Sequence, residues 1–308
     1  MLTIFTSAKP FRGRTAVIQR NALRSWMLLH PAVQIILFGD AEGSQEVAWE
    51  FGIHYEEHPF LTASGSVRLD YMFTTAQRRA RYSTLCYVPC DTVLLPDFYD
   101  ALTRVEALYR EFLMVGRSCH LDFGAPLQFG DPDWQGLLRQ RAEMAGHKIL
   151  PKRAAYVGFS KGTCLADVPP IAVDSPVCMA WLLWKALSEQ VTVVDASDMV
   201  LAVQQQHADS RGEPCGPPCD EGEAEQSVTE ALAVCGSRRH LRSVGNAPYL
   251  LTTSDVVRNR WRGWHSWQAR AAFWGTRAWQ AWQKAIWQPR KLGGTAMAQG
   301  VRANNTPR

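Results

Sequence analysis

From residue 258 to the last, the sequence contains no acid, although ten Lys and Arg fall there. The first 257 residues therefore hold all 29 acidic groups against 23 basic ones, and the formal charge of +4 conceals an acidic body near −6 and a basic tail. No apolar run approaches the roughly 20 residues that a spanning helix needs, which argues against a transmembrane protein. Residues 1–10, MLTIFTSAKP, have no apolar h-region of the kind a secretory leader carries. A cytoplasmic location with mostly reduced thiols is the expectation. The pair in Cys215-Gly216-Pro217-Pro218-Cys219 has no second CxxC or HxxxH to complete four zinc ligands, so it reads as a loop with two incidental thiols. Internal repeats are missing too, which argues against a solenoid or propeller.

What is present is an α/β rhythm. The chain has 308 residues with a 46% hydrophobic share, enough for one sizeable α/β domain and an appendage. Its organising stretch is residues 84–98, TLCYVPCDTVLLPDF. A buried strand over 85–88 stops at Pro89-Cys90-Asp91, an apolar hook Val93-Leu94-Leu95 follows, and Pro96 opens a helix. Strands are also expected over 2–6, 33–38, 52–55, 112–116, 156–159 and 191–195. Helices are expected over 15–29, 42–51, 67–82, 97–108 and 176–190, with another running from Trp134 to near Gly146. The helix over 15–29 places Ala16, Ile18, Ala22, Leu23 and Trp26 mostly on one face. Alternation of this kind predicts a mainly parallel sheet covered by helices on both faces. A Gly-, Pro- and acid-rich loop is expected over 209–226.

Residue type and position nominate a site. Asp91 lies just past the carboxyl end of its strand, where open α/β sheets place ligand chemistry, although a turn role suits an Asp equally. Asp40 stands at the end of the second strand, where a carboxylate accepts hydrogen bonds from ribose hydroxyls or a base edge; loop capping is the alternative. Arg12 and Arg14 lie in a loop at the same edge and either meet phosphate oxygens or stay solvated.

The matches in order along the chain are Thr3-Ile4-Phe5-Thr6, Lys9-Pro10-Phe11-Arg12-Gly13, Gln19-Arg20-Asn21-Ala22, Ser25-Trp26, Ile35 through Asp40, and Glu42-Gly43. They continue with Cys86-Tyr87-Val88, Asp91, Leu94 through Phe98, Phe112 through Arg117, and Asp131-Pro132-Asp133-Trp134. In these the chain resembles the GT-A fold nucleotide-sugar glycosyltransferases, specifically the family-2-like bacterial group that begins TIFT-x-x-KPF. The resemblance covers about residues 1–255. It implies transfer of a sugar from a nucleoside diphosphate donor (UDP- or GDP-type) to a hydroxyl acceptor. It also implies that Asp91 binds Mg²⁺ or Mn²⁺ bridging the diphosphate, with Thr6 and Asp40 flanking the nucleoside. The group's W-D-N-W stretch, which supplies an acid near the acceptor, reads Cys178-Met179-Ala180-Trp181 here. Asp174, Asp122 or Asp209 then stands as the replacement base, with Asp174 the nearest. The H-Q-N-H-D-Y stretch reads Gln204-Gln205-Gln206-His207-Ala208-Asp209, leaving His207 as a second metal ligand or an ordinary surface His. Where relatives tend to carry an acid, Tyr71 stands beside Asp70.

The tail carries seven of the twelve Trp between residues 258 and 291. On a helical wheel at ~100° per residue, Trp261, Trp264, Trp267, Trp274, Trp279 and Trp282 fall within an arc of about 140°. Arg258, Arg262, Arg270, Arg277 and Lys284 face the other way. Such a helix lies on an anionic membrane surface, or packs its Trp face on its own domain or a partner. A lipid-linked glycan acceptor would suit the first option. No nucleic-acid fold accompanies the basic face, so nucleic acid is not an expected partner. The division is 1–255 as the transferase-like domain, 256–292 as the amphipathic tail and 293–308 as disordered. A catalytically degenerate binding or scaffold protein is the alternative function.

Overall fold

In the computed structural model, β1 (Leu2–Ser7) is paired on both sides, by β2 (Gln34–Phe38) and by β4 (Thr84–Tyr87), both parallel to it. The structure describes residues 1–122, 125–144, 153–163, 165, 167–205, 229, 231–236 and 240–260. The chain divides into two units, Met1–Gly263 and Trp264–Arg308. All described residues belong to the first.

Beyond β2 lies β3 (His54–Glu56). On the other side of β4 come β8 (Tyr156–Ser160), β6 (Phe112–Gly116), β9 (Thr192–Asp195), β11 (Tyr249–Leu251) and β12 (Val256–Arg258). In this nine-stranded sheet β8 runs antiparallel to both β4 and β6, and β12 antiparallel to β11. The remaining pairs are parallel, as the alternation predicts.

The strands are apolar on both faces because both are covered. On one face Phe5, Phe38, Tyr87 and Phe159 pack against α3 (Leu69–Arg79) and α6 (Cys178–Ser188). Phe73 of α3 is the centre of that layer, edge-on to Phe5 at 5.0 Å between ring centroids and stacked on Phe159 at 5.7 Å. On the other face Ile4, Cys86, Met114 and Tyr156 meet α1 (Gly13–Met27), α2 (Ser44–Phe51) and α4 (Pro96–Leu108). Burying each large apolar side chain contributes roughly 1.5–3 kcal/mol. Pro96 opens α4 at a position where its missing N–H is not needed. Gly43 precedes α2 with φ +81°, and a Cβ there would lie 2.9 Å from Cβ of Phe11, so both conformation and space call for glycine.

The apolar hook is not an extension of the main sheet. It forms β5 (Thr92–Leu94), which pairs antiparallel with β10 (Ala202–Gln205); β10 pairs parallel with β7 (Ser118–Leu121). This three-stranded sheet packs Val93, Cys119 and Val203 on Trp134 and Leu138 of α5 (Trp134–Met144). Strand β12 corrects the division made from sequence, which put Val256–Arg258 in the tail helix. They close the sheet edge, and Asn259 after them is held by Ala247 and Pro248 carbonyls at 3.1 and 2.8 Å. Ala16 is only partly buried, whereas Ile18, Ala22, Leu23 and Trp26 are buried.

Candidate active site

Strand order β3-β2-β1-β4 reverses direction of winding at β1, and the carboxyl ends of β1, β2 and β4 therefore open a crevice. A cleft of about 480 Å³ lies there. Ser7 ends β1 and Lys9 lies just beyond it, Asp40 follows β2, and Asp91 follows β4; all four line it. Arg153 and Asp174 come from the far side of the chain and line it too.

Asp91 occupies a tight turn closed by the Thr92 N–H donating to the Pro89 carbonyl at 3.0 Å. Its side chain is held on both oxygens. The Thr92 hydroxyl donates to Oδ1 at 3.1 Å, and Gln204 Nε2 on β10 donates to Oδ2 at 3.1 Å. Its main-chain carbonyl accepts the Gln205 N–H at 3.0 Å and Gln205 Nε2 at 3.1 Å. Gln205 in turn donates to the Ile18 carbonyl of α1 at 2.8 Å and accepts Asn21 Nδ2 at 2.9 Å. The paired glutamines of β10 thus fix Asp91 by side chain and backbone together. Gln19 of α1 does the same for the β1 loop, accepting the Lys9 N–H at 2.7 Å and donating to its carbonyl at 2.8 Å.

Asp40 is exposed on the cleft wall. Asp174 is exposed and accepts the Ser66 hydroxyl at 2.9 Å. Beside it Ser175 lines the cleft, and its buried hydroxyl has no partner among the described residues. Cys90 also faces the cleft, and burial pushes its thiol far up, so it is neutral.

Three expected residues lie elsewhere. Thr6 is fully buried and does not line the cleft; its hydroxyl donates to the Ser7 carbonyl at 3.4 Å, and Ser7 takes the lining position. The correction is a slip of one residue along β1, which exchanges faces. Arg12 is exposed and paired with Glu42 outside the cleft, and Arg14 is paired with Asp122. Both arginines are engaged by carboxylates, and Asp122 is engaged with Arg14. Asp70 pairs with Arg68, and the Tyr71 hydroxyl donates to Glu56 at 3.3 Å. His207 and Asp209 lie outside the described residues, as does the Trp face of the tail.

Three contributors escaped sequence reasoning: Arg153, Gln204 and His120. His120 is the register partner of Gln204 across β7 and β10. Burial lowers its pKa, with Asp91 opposing and Arg153 reinforcing that shift, so the ring is neutral near pH 7. The signal that could have found Gln204 is its place beside Gln205 in the stretch that aligns with H-Q-N-H-D-Y.

The donor set bears on metal binding. Among the described residues no group of three His, Cys, Asp or Glu stands together as a metal site. Asp91 offers one carboxylate, whose hydrogen-bond partners among the described residues include an amide and a hydroxyl. A divalent ion here would rest on that carboxylate and on ligand oxygens, a mode that suits Mg²⁺ better than an all-protein cage does.

The chain is similar to glycosyltransferases of known structure. The glucosyl-3-phosphoglycerate synthase of Mycobacterium tuberculosis in complex with Mg²⁺ and UDP matches at 14% identity over 85% of this chain and 87% of its own, with a TM-score of 0.45. The same synthase in complex with Mn²⁺, UDP-glucose and phosphoglyceric acid matches at 13% over 77% and 80%, TM-score 0.45. S. aureus TarS 1–349 in complex with UDP-GlcNAc matches at 10% over 42% and 38%, TM-score 0.31. No protein-family model matches the chain, and no curated protein sequence does.

Proposed function

We propose that this protein is a glycosyltransferase that moves a sugar from a nucleoside diphosphate donor to a hydroxyl acceptor. The observation that carries the reading is the convergence of Asp40, Asp91 and Asp174 with Lys9 and Arg153 on one cleft at the switch point of the sheet. Strand order sets the layout. Asp40 on the β2 side takes the nucleoside, Asp91 after β4 takes the diphosphate region, and Asp174 stands on the wall where an acceptor hydroxyl would enter. A base must come within hydrogen-bond reach of that hydroxyl, and the exposed Asp174 carboxylate is the cleft acid free of an arginine partner on that wall. Mg²⁺ or Mn²⁺ arriving with the donor would meet Asp91. The described neighbours of Asp91 add no second carboxylate to that site.

The second reading is a donor-binding protein without transfer. It is favoured by Met179, which lines the cleft in the stretch where the W-D-N-W motif carries its acid. Outside the cleft, the Trp-rich basic tail supports a peripheral place on an anionic membrane at its cytoplasmic side, with a lipid-linked glycan as acceptor. A thermal-shift screen over UDP-, GDP- and other nucleotide sugars tests the donor, since a ligand held only by the folded state raises Tm. The expected outcome is stabilisation by one nucleotide class, lost in Asp40→Ala. Nucleotide release on adding acceptor separates the two readings; no shift with any donor overturns both.

A further inference from the structure

The cleft holds more positive charge than sequence reasoning placed there, and it comes from an unexpected direction. Strand β8 enters the sheet antiparallel between β4 and β6, so residues preceding it arrive at the edge that residues following β4 leave. Arg153 is therefore a cleft residue, brought to the same edge as Asp91. Its charge acts on His120, which also feels Asp91, and on Cys178, which also feels Asp174. Arg153, Asp91 and Asp174 all line the same cleft. Arg153 forms no ion pair with any described residue, unlike Arg12, Arg14, Arg117 and Arg139.

On the other side, Gln204 presents an amide N–H to the one carboxylate oxygen that faces β10. A second carboxylate in that place would make a two-acid cation site. An amide donor there cannot ligate through its nitrogen and already engages Oδ2. Among the described residues, the local chemistry is one hydrogen-bonded carboxylate in a cleft that also holds a guanidinium with no ion pair.

We propose that Arg153 supplies the positive charge for the diphosphate of the donor, so that nucleotide binding does not require a divalent ion. A planar fork of donors matches two phosphate oxygens at once and keeps its charge at all working pH values. Fixed there, it also stabilises the charge that develops on the diphosphate as the bond to the sugar breaks. Lys9, which also lines the cleft, adds a second point charge. The proposal rests on the reading of the cleft as a nucleoside diphosphate site.

The experiment is calorimetry of the full chain with UDP and GDP, in EDTA and in Mn²⁺, on the unaltered protein and on Arg153→Ala, Arg153→Lys and Gln204→Glu, with circular dichroism melts for each. The expected result is binding in EDTA within about threefold of that in Mn²⁺. Arg153→Ala should weaken it by about tenfold or more in both buffers, the loss of a charge-assisted bidentate contact, and Arg153→Lys by less. Gln204→Glu should make binding depend on Mn²⁺, because two carboxylates then face one another. Binding seen only with Mn²⁺, or unchanged in a folded Arg153→Ala, overturns the proposal and leaves the donor reading standing. Binding of neither nucleotide in either buffer overturns the donor reading and this proposal with it.

Discussion

Gln205 is 1% exposed, yet every polar atom of its side chain is engaged, with Ile18, Asn21 and the backbone of Asp91. Gln205→Leu would keep the volume and leave one N–H of the buried Asn21 amide without its acceptor. Such an orphan costs about 1–3 kcal/mol, so urea denaturation should show a loss in that range, together with weaker nucleotide binding as the Asp91 turn loosens. Asp195 makes a different statement. Burial pushes its carboxyl above the usual range, against the Ser197 hydrogen bonds and Arg117. The folded state then holds this proton more tightly than the unfolded chain does. Stability therefore falls as pH rises from about 4, an unperturbed Asp value, through the raised folded value, and is level above it. In Asp195→Asn that fall should be absent; urea midpoints at steps between pH 4 and 8 measure the difference. At this scale the cleft positions of Asp40 and Asp91 were readable from sequence because each lies within a few residues of the end of an apolar strand. Thr6 was misplaced because a strand end gives no indication of which of two successive residues faces the ligand.

Elements rich in β-branched and aromatic residues declared themselves: β1, β2, β4 and β6 lie within a residue or two of their expected bounds. The short strands β7 (SCHL), β10 (AVQQ), β11 and β12 did not, since runs of three or four residues have no periodicity to detect. Their partners make them strands. Direction is equally silent: a run such as Tyr156–Ser160 looks the same parallel or antiparallel, and Arg153 was invisible as a site residue for that reason. Helices were legible through their apolar faces, and α3 shows why that face matters. Phe73 touches rings on three strands, Phe5, Tyr87 and Phe159. Phe73→Ala should cost about 3–5 kcal/mol, seen as a lower urea midpoint with an unchanged slope.

Across the whole molecule the charge asymmetry becomes testable. Truncation after residue 260 removes eight basic residues and no acid, taking the net charge from +4 to −4, while leaving β12 and Asn259 in place. The shortened protein should melt near the temperature of the full chain and lose co-sedimentation with vesicles containing anionic lipid; neutral vesicles are the control. Truncation after 255 instead strips the sheet edge and should lower Tm. Retained vesicle binding by residues 1–260 would move the membrane contact onto the folded body.

Strand β8 also sets how the sheet can be completed. Until residues 156–160 are available, β4 and β6 flank a slot one strand wide, with hydrogen-bonding groups exposed on both sides. During synthesis that slot stays open while about forty residues beyond β6 are added, at roughly 5–20 residues per second. The same geometry makes the protein a natural two-piece reporter. Fragments 1–144 and 153–260, each lacking what the other supplies, should recover nucleotide binding only when mixed, because the Tyr156–Ser160 segment of one must slide between two strands of the other.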